Sequence, residues 1–146
     1  MAKFHLPTQT IFYALENSIK NYRRYAQSEL NKKYKDITLD QALILVSLKE
    51  QPNLSMSEIA EIVFKDNASV TRIVECLVQA NYLQRLEHER DRRSVKLSIT
   101  KKGNSTLPAL KKIISSNRKK ALKGIRAKEL EQLTNTLEKL INNCDN

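Results

Sequence analysis

The sequence predicts a mainly α-helical fold, with six helices and one small β-hairpin between the fourth and the fifth. Only two Gly and three Pro occur in 146 residues, which is typical of long helices joined by short connections. Apolar residues recur at steps of three and four along most of the chain, the spacing of amphipathic helices. Val95, Leu97 and Ile99 instead alternate with polar residues, the pattern of a half-buried strand. This length corresponds to one domain with a modest core.

The first two helices are predicted from their periodicity and their flanking residues. The first begins at Pro7 and ends near residue 34, and one apolar stripe along it is expected to be buried: Phe12, Leu15, Ile19, Tyr22, Ala26 and Leu30. Thr38 caps the second helix, with Gln41 at the third position as in a capping box. Pro52 ends this helix because proline cannot donate a backbone hydrogen bond.

The central stretch predicts two helices joined by a tight turn. Ser55 and Glu58 form a capping box for a helix of about eight residues, in which Ile59, Ile62 and Val63 are expected to form a short buried stripe. Asp66 caps a longer helix at about residues 66–80. One stripe of this longer helix must face the core: Val70, Ile73, Val74 and Leu77. The opposite face is slim and carries hydrogen-bonding groups and one arginine: Ala68, Ser69, Thr71, Arg72, Glu75, Cys76 and Gln79. Such a face suits a DNA major groove, although an ordinary solvated helix face is the alternative.

A β-hairpin is predicted directly after these helices. Its strands are expected at residues 83–87 and 94–99, and the turn between them, residues 88–93, is rich in arginine. Two strands joined by such a tip form a wing. Helix, turn, helix and wing in succession predict a winged helix-turn-helix more specifically than any one part does.

The last two helices complete the predicted architecture. Thr100 caps the fifth, which passes through Pro108, where a kink is expected, and ends near Gly124. The sixth, at about residues 127–143, carries an apolar stripe at heptad-like spacing: Leu130, Leu133, Leu137, Leu140 and Ile141. One chain cannot cover so much apolar surface, so the N- and C-terminal helices are expected to form a homodimer interface. The predicted division is a helical dimerisation region at residues 1–35 and 104–146, and a DNA-binding region at residues 36–103.

With these elements in order, the chain resembles the MarR family of winged helix-turn-helix transcriptional regulators over nearly its whole length. Two matches are the most specific: Asp91 and Arg93 in the wing, and Thr100 and Gly103 after it, which fit the family's Asp-x-Arg followed by Leu-Thr-x-x-Gly. Further matching segments are residues 38–41, 57–60 and 70–72. Family members are homodimers, and most are DNA-binding regulators that act on genes as repressors.

Three positions depart from the family pattern. Phe64 and Asn81 stand where many relatives have glycine, and His88 replaces an acidic residue before the wing tip. Asparagine tolerates the left-handed backbone conformation, so Asn81 is a mild change. Phe64 implies a differently packed turn between the two central helices.

The helix at about residues 66–80 is the predicted recognition helix, which enters the major groove. A homodimer would present two such helices about 34 Å apart to a pseudo-palindromic site on double-stranded DNA. Arg72 is predicted to read bases, with Ser69 and Thr71 on phosphates and Asn67 at the helix N-terminus, where anions are favoured. Glu75 either restrains Arg72 or accepts a hydrogen bond from a cytosine amine. By the family match, Arg93 enters the minor groove and Asp91 orients it. The other predicted DNA contacts are Ser57, Arg90, Arg92 and Lys96.

Composition supports a nucleic-acid partner and argues against other classes. The net charge is +10, and between Arg92 and Lys128 there are 13 Lys and Arg but no Asp or Glu. No apolar run reaches the roughly 18 residues of a membrane span and no signal peptide is evident, so a cytoplasmic protein without membrane contact is expected. Only two His and no phosphate-binding loop occur, so an enzyme is not expected. Cys76 and Cys144 lack metal-ligand spacing, so no metal and no cofactor are expected either.

Regulation is the least defined property. The family resemblance implies a small aromatic effector bound between the dimerisation helices and the winged region, with Tyr13, Tyr22, Tyr25 and Leu48 as candidate pocket residues. Those side chains are alternatively simple core. Three other interpretations stay open. The protein could be a winged-helix adaptor that binds protein instead of DNA, or a basic helical protein that binds RNA or an anionic membrane surface. It could also be a redox-switched regulator that uses Cys76 on the recognition helix.

Overall fold

The computed structural model describes residues 2–87 and 95–145, and within them the chain forms six α-helices and a two-stranded sheet. A 3-10 turn at Pro7–Gln9 precedes α1 (Ile11–Asn31), α2 (Leu39–Glu50), α3 (Met56–Val63), α4 (Asn67–Gln79), β1 (Leu83–Glu87), β2 (Val95–Ile99), α5 (Lys101–Ala121) and α6 (Ala127–Cys144). The order and type of these elements confirm the predicted six-helix fold with a β-hairpin.

Local capping determines where four of the helices begin. The hydroxyl of Thr38 accepts from the backbone N–H of Gln41 at 3.2 Å, and the Gln41 side chain accepts from the Thr38 N–H at 2.9 Å. Ser55, Asp66 and Thr100 likewise accept from the backbone N–H three residues on. All four of these caps were predicted, because the signal lies within four residues of sequence.

The core lies between α2, α3, α4, α5 and the sheet, with the C-terminal end of α1 closing one side. Its largest fully buried side chains come from every one of these elements: Leu30, Ile37, Ile44, Leu45, Ile59, Val70, Val74, Leu77, Leu83 and Leu110. The stripe predicted for α4 is confirmed, since Val70, Val74 and Leu77 are at most 1% exposed and Ile73 is half-buried.

The hairpin is antiparallel and pairs Leu83 with Ile99, Arg85 with Leu97 and Glu87 with Val95. Leu83 and Leu97 lie in the core, whereas Lys96 on the other face is exposed. The wing residues predicted to contact DNA, Arg90, Asp91, Arg92 and Arg93, lie outside the described residues.

The start of α5 is fixed against the end of α4 by Thr100 and Gly103. The Thr100 hydroxyl donates to the carbonyl of Asn81 at 2.6 Å and accepts from the Gly103 N–H at 3.0 Å. A methyl group on Gly103 would lie 2.5 Å from the carbonyl oxygen of Tyr82 and 2.6 Å from a methyl of Ile99. Glycine at this position therefore permits a close approach that no larger residue allows.

Three expectations about helices need correction. The first helix does not begin at Pro7 and does not reach residue 34, because a 3-10 turn precedes α1 and α1 ends at Asn31. Its stripe is buried only toward the C-terminus, since Phe12 and Ile19 are 58% and 54% exposed. Ile62, expected in the α3 stripe, is 38% exposed. Periodicity identifies an apolar face, but it does not say what covers that face.

The sixth helix differs most from an ordinary packed element. Of its residues, all within the described part of the chain, none is buried, and Leu133 and Ile141 are 49% and 59% exposed. The leucine stripe predicted from the sequence is therefore present on α6, but the described residues of a single chain bury none of it.

Candidate nucleic-acid interface

The α4 helix turns one face to the core and the opposite face to solvent. At about 100° per residue, Ala68, Arg72, Glu75 and Gln79 form a ridge directly opposite the buried stripe. Ala68, Arg72 and Gln79 are exposed, and Glu75 is partly covered. Arg72 thus projects from the outer face, as expected for a residue that contacts a partner.

The N-terminus of α4 is held by Asp66. One carboxylate oxygen of Asp66 accepts from the Ser69 N–H at 2.8 Å and the other from the Ser69 hydroxyl at 3.0 Å. These hydrogen bonds, from the backbone first and then from the side chain of Ser69, lower the pKa of the Asp66 carboxyl. Thr71 donates its hydroxyl to the Asn67 carbonyl at 2.8 Å. Ser69 and Thr71 therefore donate within the α4 segment itself, and a phosphate contact requires either hydroxyl to rotate.

Glu75 does not restrain Arg72, which was one of the two roles considered for it. Its carboxylate oxygen Oε2 lies 2.5 Å from Nη2 of Arg85 on β1. Arg85 lies on the same face of the sheet as Leu83, two residues earlier, and pairs with Leu97 on β2. This is the face that packs on the core, and from its edge the Arg85 side chain reaches Glu75 on α4. Sequence reasoning missed Arg85, because only the pairing register of the hairpin shows which face it occupies.

The C-terminal end of α4 is held by α5. Lys102 donates to the carbonyl of Ala80 at 2.8 Å, and its ammonium group lies 4.3 Å from the centre of the Tyr82 ring. Asn81 adopts φ 66°, the left-handed conformation expected for it. Burial raises the pKa of the Tyr82 phenol, which donates to Asp36. The C-terminal end of α4 is therefore fixed to α5, whereas the Asp66 cap at its N-terminal end acts within the α4 segment.

Two further predicted DNA-contact residues lie on elements other than α4. Ser57, in the first turn of α3, and Lys96, on β2, are both exposed. Asn67 at the start of α4 is exposed as well. The predicted DNA-contact residues within the described chain are therefore surface residues, apart from Ser69, which is half-buried.

A cavity of about 460 Å³ lies between α1, α2, the α3–α4 turn and α5. Most of its wall is apolar, while Arg23, Asn117 and Arg118 contribute polar groups. Arg23 is paired with Asp40 at 2.5 Å, which links α1 to the first turn of α2. The cavity wall consists of Ile19, Tyr22, Arg23, Leu39, Leu43, Ile62, Val63, Phe64, Lys65, Ile114, Asn117 and Arg118.

Of the four predicted pocket residues, only Tyr22 lines this cavity. Leu48 is in the core and borders a different depression beside β2. Tyr25 has the ammonium group of Lys120 over its ring at 5.0 Å, and Tyr13 is 46% exposed near the start of α1. These three side chains therefore do not line this cavity, because apolar residues on a helix do not reveal on which side a gap will remain.

Other chemistry finds little support in the described residues. Cys76 and Cys144 are both exposed and unpaired with one another. Within residues 2–87 and 95–145, no three His, Cys, Asp or Glu side chains are grouped so that they could hold a metal ion. No helix in the same ranges is both long enough and apolar enough to cross a bilayer.

A short helix, a tight turn, a second helix with an open outer face and an antiparallel hairpin together define a winged helix-turn-helix protein. The model of the MarR family matches residues 37–95, which span the segment from α2 to the first residue of β2. It is 29% identical to the HTH-type transcriptional regulator BilQ of Clostridium symbiosum over 132 residues, which cover 90% of each chain. The family and this relative are transcriptional regulators and not enzymes, as the sequence predicted.

Solved structures of two other proteins share the fold. The structure of Staphylococcus aureus MepR in complex with DNA has a TM-score of 0.82 at 20% identity and covers 93% of this chain and 99% of that one. A mutant of Escherichia coli MarR, complexed with operator DNA, has a TM-score of 0.78 at 21% identity, with 89% and 92% covered. These likenesses confirm the predicted fold class.

Proposed function

We propose that the protein is a homodimeric transcriptional regulator that binds a pseudo-palindromic site on double-stranded DNA through α4. The observation that carries the proposal is the outer face of α4, which is slim and bears the exposed Arg72, on a helix capped by Asp66 and joined at its C-terminal end to α5. Arginine is the side chain best suited to the paired acceptors of guanine in the major groove. MepR and MarR, which share this fold, have been solved in complex with DNA, and this supports DNA as the partner.

The proposed contacts follow from position. Arg72 reads bases, whereas Asn67, Ser69 and Thr71 contact the phosphates beside the N-terminus of α4. Ser57 and Lys96 lie on neighbouring exposed surfaces and add backbone contacts. In the wing, Arg93 enters the minor groove, oriented by Asp91, while Arg90 and Arg92 contact phosphates, as proposed from the family match.

A dimer supplies the second α4 helix that a site with two half-sites requires. Exposed apolar side chains lie on α6 and on the N-terminal half of α1, among them Leu133, Ile141, Phe12 and Ile19. We assign residues 1–35 and 104–146 to dimerisation and residues 36–103 to DNA binding. Two copies related by a two-fold axis would bury these faces against each other and set the spacing of the two α4 helices.

We further propose that the cavity between α1, α2 and α5 receives a small effector that relieves repression. Its apolar wall, with Tyr22 and nearby arginines, suits an aromatic molecule that carries an anionic group. Because the cavity touches both the dimerisation region and the DNA-binding region, a ligand that fits only one arrangement would change the spacing of the two α4 helices. A protein with these properties acts in the cytoplasm.

The proposal is tested by selecting duplexes from a random DNA pool with the purified full-length protein. We expect enrichment of a site with two inverted half-sites whose centres are one helical turn apart. Enrichment of no duplex would overturn the proposal. Retention of protein partners alone by the immobilised protein would favour the adaptor reading instead.

Two arginine variants distinguish the role of α4 from that of the wing. Arg72→Ala should reduce the preference for the selected site over random DNA, because a base contact is lost. Arg92→Ala should weaken binding to all duplexes and reduce the slope of log affinity against log salt by about 1, because a phosphate contact is lost. Equal effects of both substitutions on preference and on salt slope would contradict this assignment.

A further inference from the structure

The centre of the outer ridge of α4 is an acidic residue. Glu75 lies three residues after Arg72 and four before Gln79, on the side opposite the buried Val70–Val74–Leu77 stripe. A helix that enters the major groove with Arg72 must carry Glu75 with it. In a chain of net charge +10, a carboxylate at this point opposes binding to phosphate unless it has a specific partner.

The pairing of Glu75 with Arg85 reduces this conflict. The contact of 2.5 Å joins Oε2 to the Arg85 guanidinium, while 42% of the Glu75 side chain and 43% of that of Arg85 stay exposed. An ion pair this exposed contributes little to stability. Its main effects are to offset the charge of the carboxylate and to restrict where the carboxylate can lie.

The geometry leaves a carboxylate oxygen for another partner. Oε2 pairs with Arg85, whereas Oε1 has no ion-pair or hydrogen-bond partner among the described residues. A carboxylate can only accept hydrogen bonds, and in the major groove the amino group of cytosine is the donor that glutamate commonly reads. Guanine, by contrast, presents two acceptors in this groove and would repel the carboxylate.

We infer that Glu75 is a specificity-determining residue that selects cytosine at one position of each half-site, with Arg85 as the positioning residue that holds its carboxylate. This inference rests on the proposed function, since it requires α4 to enter the major groove. It assigns the acidic residue a role in recognition and explains why an arginine from β1 reaches across to the recognition helix.

The test compares base preferences of full-length variants by selection from a random duplex pool, followed by competition binding. For the unchanged protein we expect a cytosine preference at one position in each half-site. Glu75→Gln should reduce that preference about five- to tenfold, or move it to adenine, because an amide can also donate. Glu131→Gln on α6 is the matched control. It removes the same charge from an exposed position about 160° around the helix from Leu133, outside the apolar stripe, and should leave the profile unchanged.

The positioning role of Arg85 has a separate readout. Arg85→Gln should weaken the cytosine preference in the unchanged background and have no further effect on it in the Glu75→Gln background, because the two residues act as one unit. Arg85→Lys, which keeps the charge, should restore part of the preference. An equal effect of Arg85→Gln in both backgrounds would overturn the positioning role.

The outcomes separate the two levels of the proposal. A selected site whose profile is identical for the unchanged protein and for Glu75→Gln would overturn the inference and leave the proposed function intact. Uniformly tighter binding by Glu75→Gln, without a change of profile, would also overturn it, because Glu75 would then be only a repulsive charge. Enrichment of no duplex by the unchanged protein would overturn both.

Discussion

Two residues of the helix-turn-helix adopt positive φ without being glycine. Phe64, between α3 and α4, has φ 55° with its side chain 92% exposed, and Asn81, after α4, has φ 66°. Asparagine tolerates this region, whereas a bulky residue pays steric strain there. The two replacements of glycine therefore differ in steric strain. The backbone keeps the left-handed conformation at both positions, but Phe64 is held in it by the helices on either side.

We expect Phe64→Gly to raise the free energy of unfolding by up to about 1 kcal/mol, because relief of strain exceeds the entropy that glycine adds to the unfolded chain. Asn81→Gly is the matched comparison and should change stability by less, since less strain is present. Equilibrium urea unfolding of both variants measures the difference. A loss of stability in Phe64→Gly would show that the aromatic ring makes packing contacts that outweigh the strain.

Residue-level predictions succeeded where the signal was local. The cap at Asp66, the buried stripe of α4 and the exposure of Arg72 depend only on helical geometry within thirteen residues. The partner of Glu75 could not be predicted, because Arg85 is ten residues away and its face depends on how β1 pairs with β2. The same reason applies to the cavity, whose wall combines residues of four helices and the α3–α4 turn.

Among the elements, the junction between α4, the hairpin and α5 places the recognition helix relative to the wing. Thr100 and Gly103 bring the start of α5 against the backbone of Asn81 and Tyr82, and Lys102 holds the end of α4 from the same turn. The matching residues were recognisable in the sequence as a pattern, but its physical reason, a close backbone approach, became visible only in the structure.

Gly103→Ala should destabilise the fold by about 1–3 kcal/mol, because its new methyl group would meet the Tyr82 carbonyl and Ile99, neither of which can move freely in the core. Ser105→Ala, at an exposed position two residues later in α5, is the control and should change stability by less than about 0.5 kcal/mol. Thermal and urea unfolding provide the measurement. Equal stability of the two variants would mean that the junction relaxes without cost.

Across the whole molecule, apolar side chains separate into a covered and an uncovered group. The winged region closes over its own core, whereas α6 has no buried residue and half of the α1 stripe faces solvent. The sequence predicted both stripes and a dimer to cover them. The exposure of both faces in a single chain agrees with that prediction, because a surface that a second copy covers is exposed in the isolated chain.

The dimer prediction is tested by placing a charge on α6. Leu133→Glu puts a carboxylate in the apolar stripe, where association would desolvate it, so we expect a shift from dimer to monomer in sedimentation equilibrium at micromolar concentration. Asn135→Glu adds the same charge about 160° around the helix from Leu133 and should leave the protein dimeric. The monomeric variant should also lose most of its affinity for a duplex with two half-sites and keep weak binding to one half-site. Two linked recognition helices bind far more tightly than one. A monomeric unchanged protein would remove the dimer from the proposal, and a dimeric Leu133→Glu would move the interface away from α6.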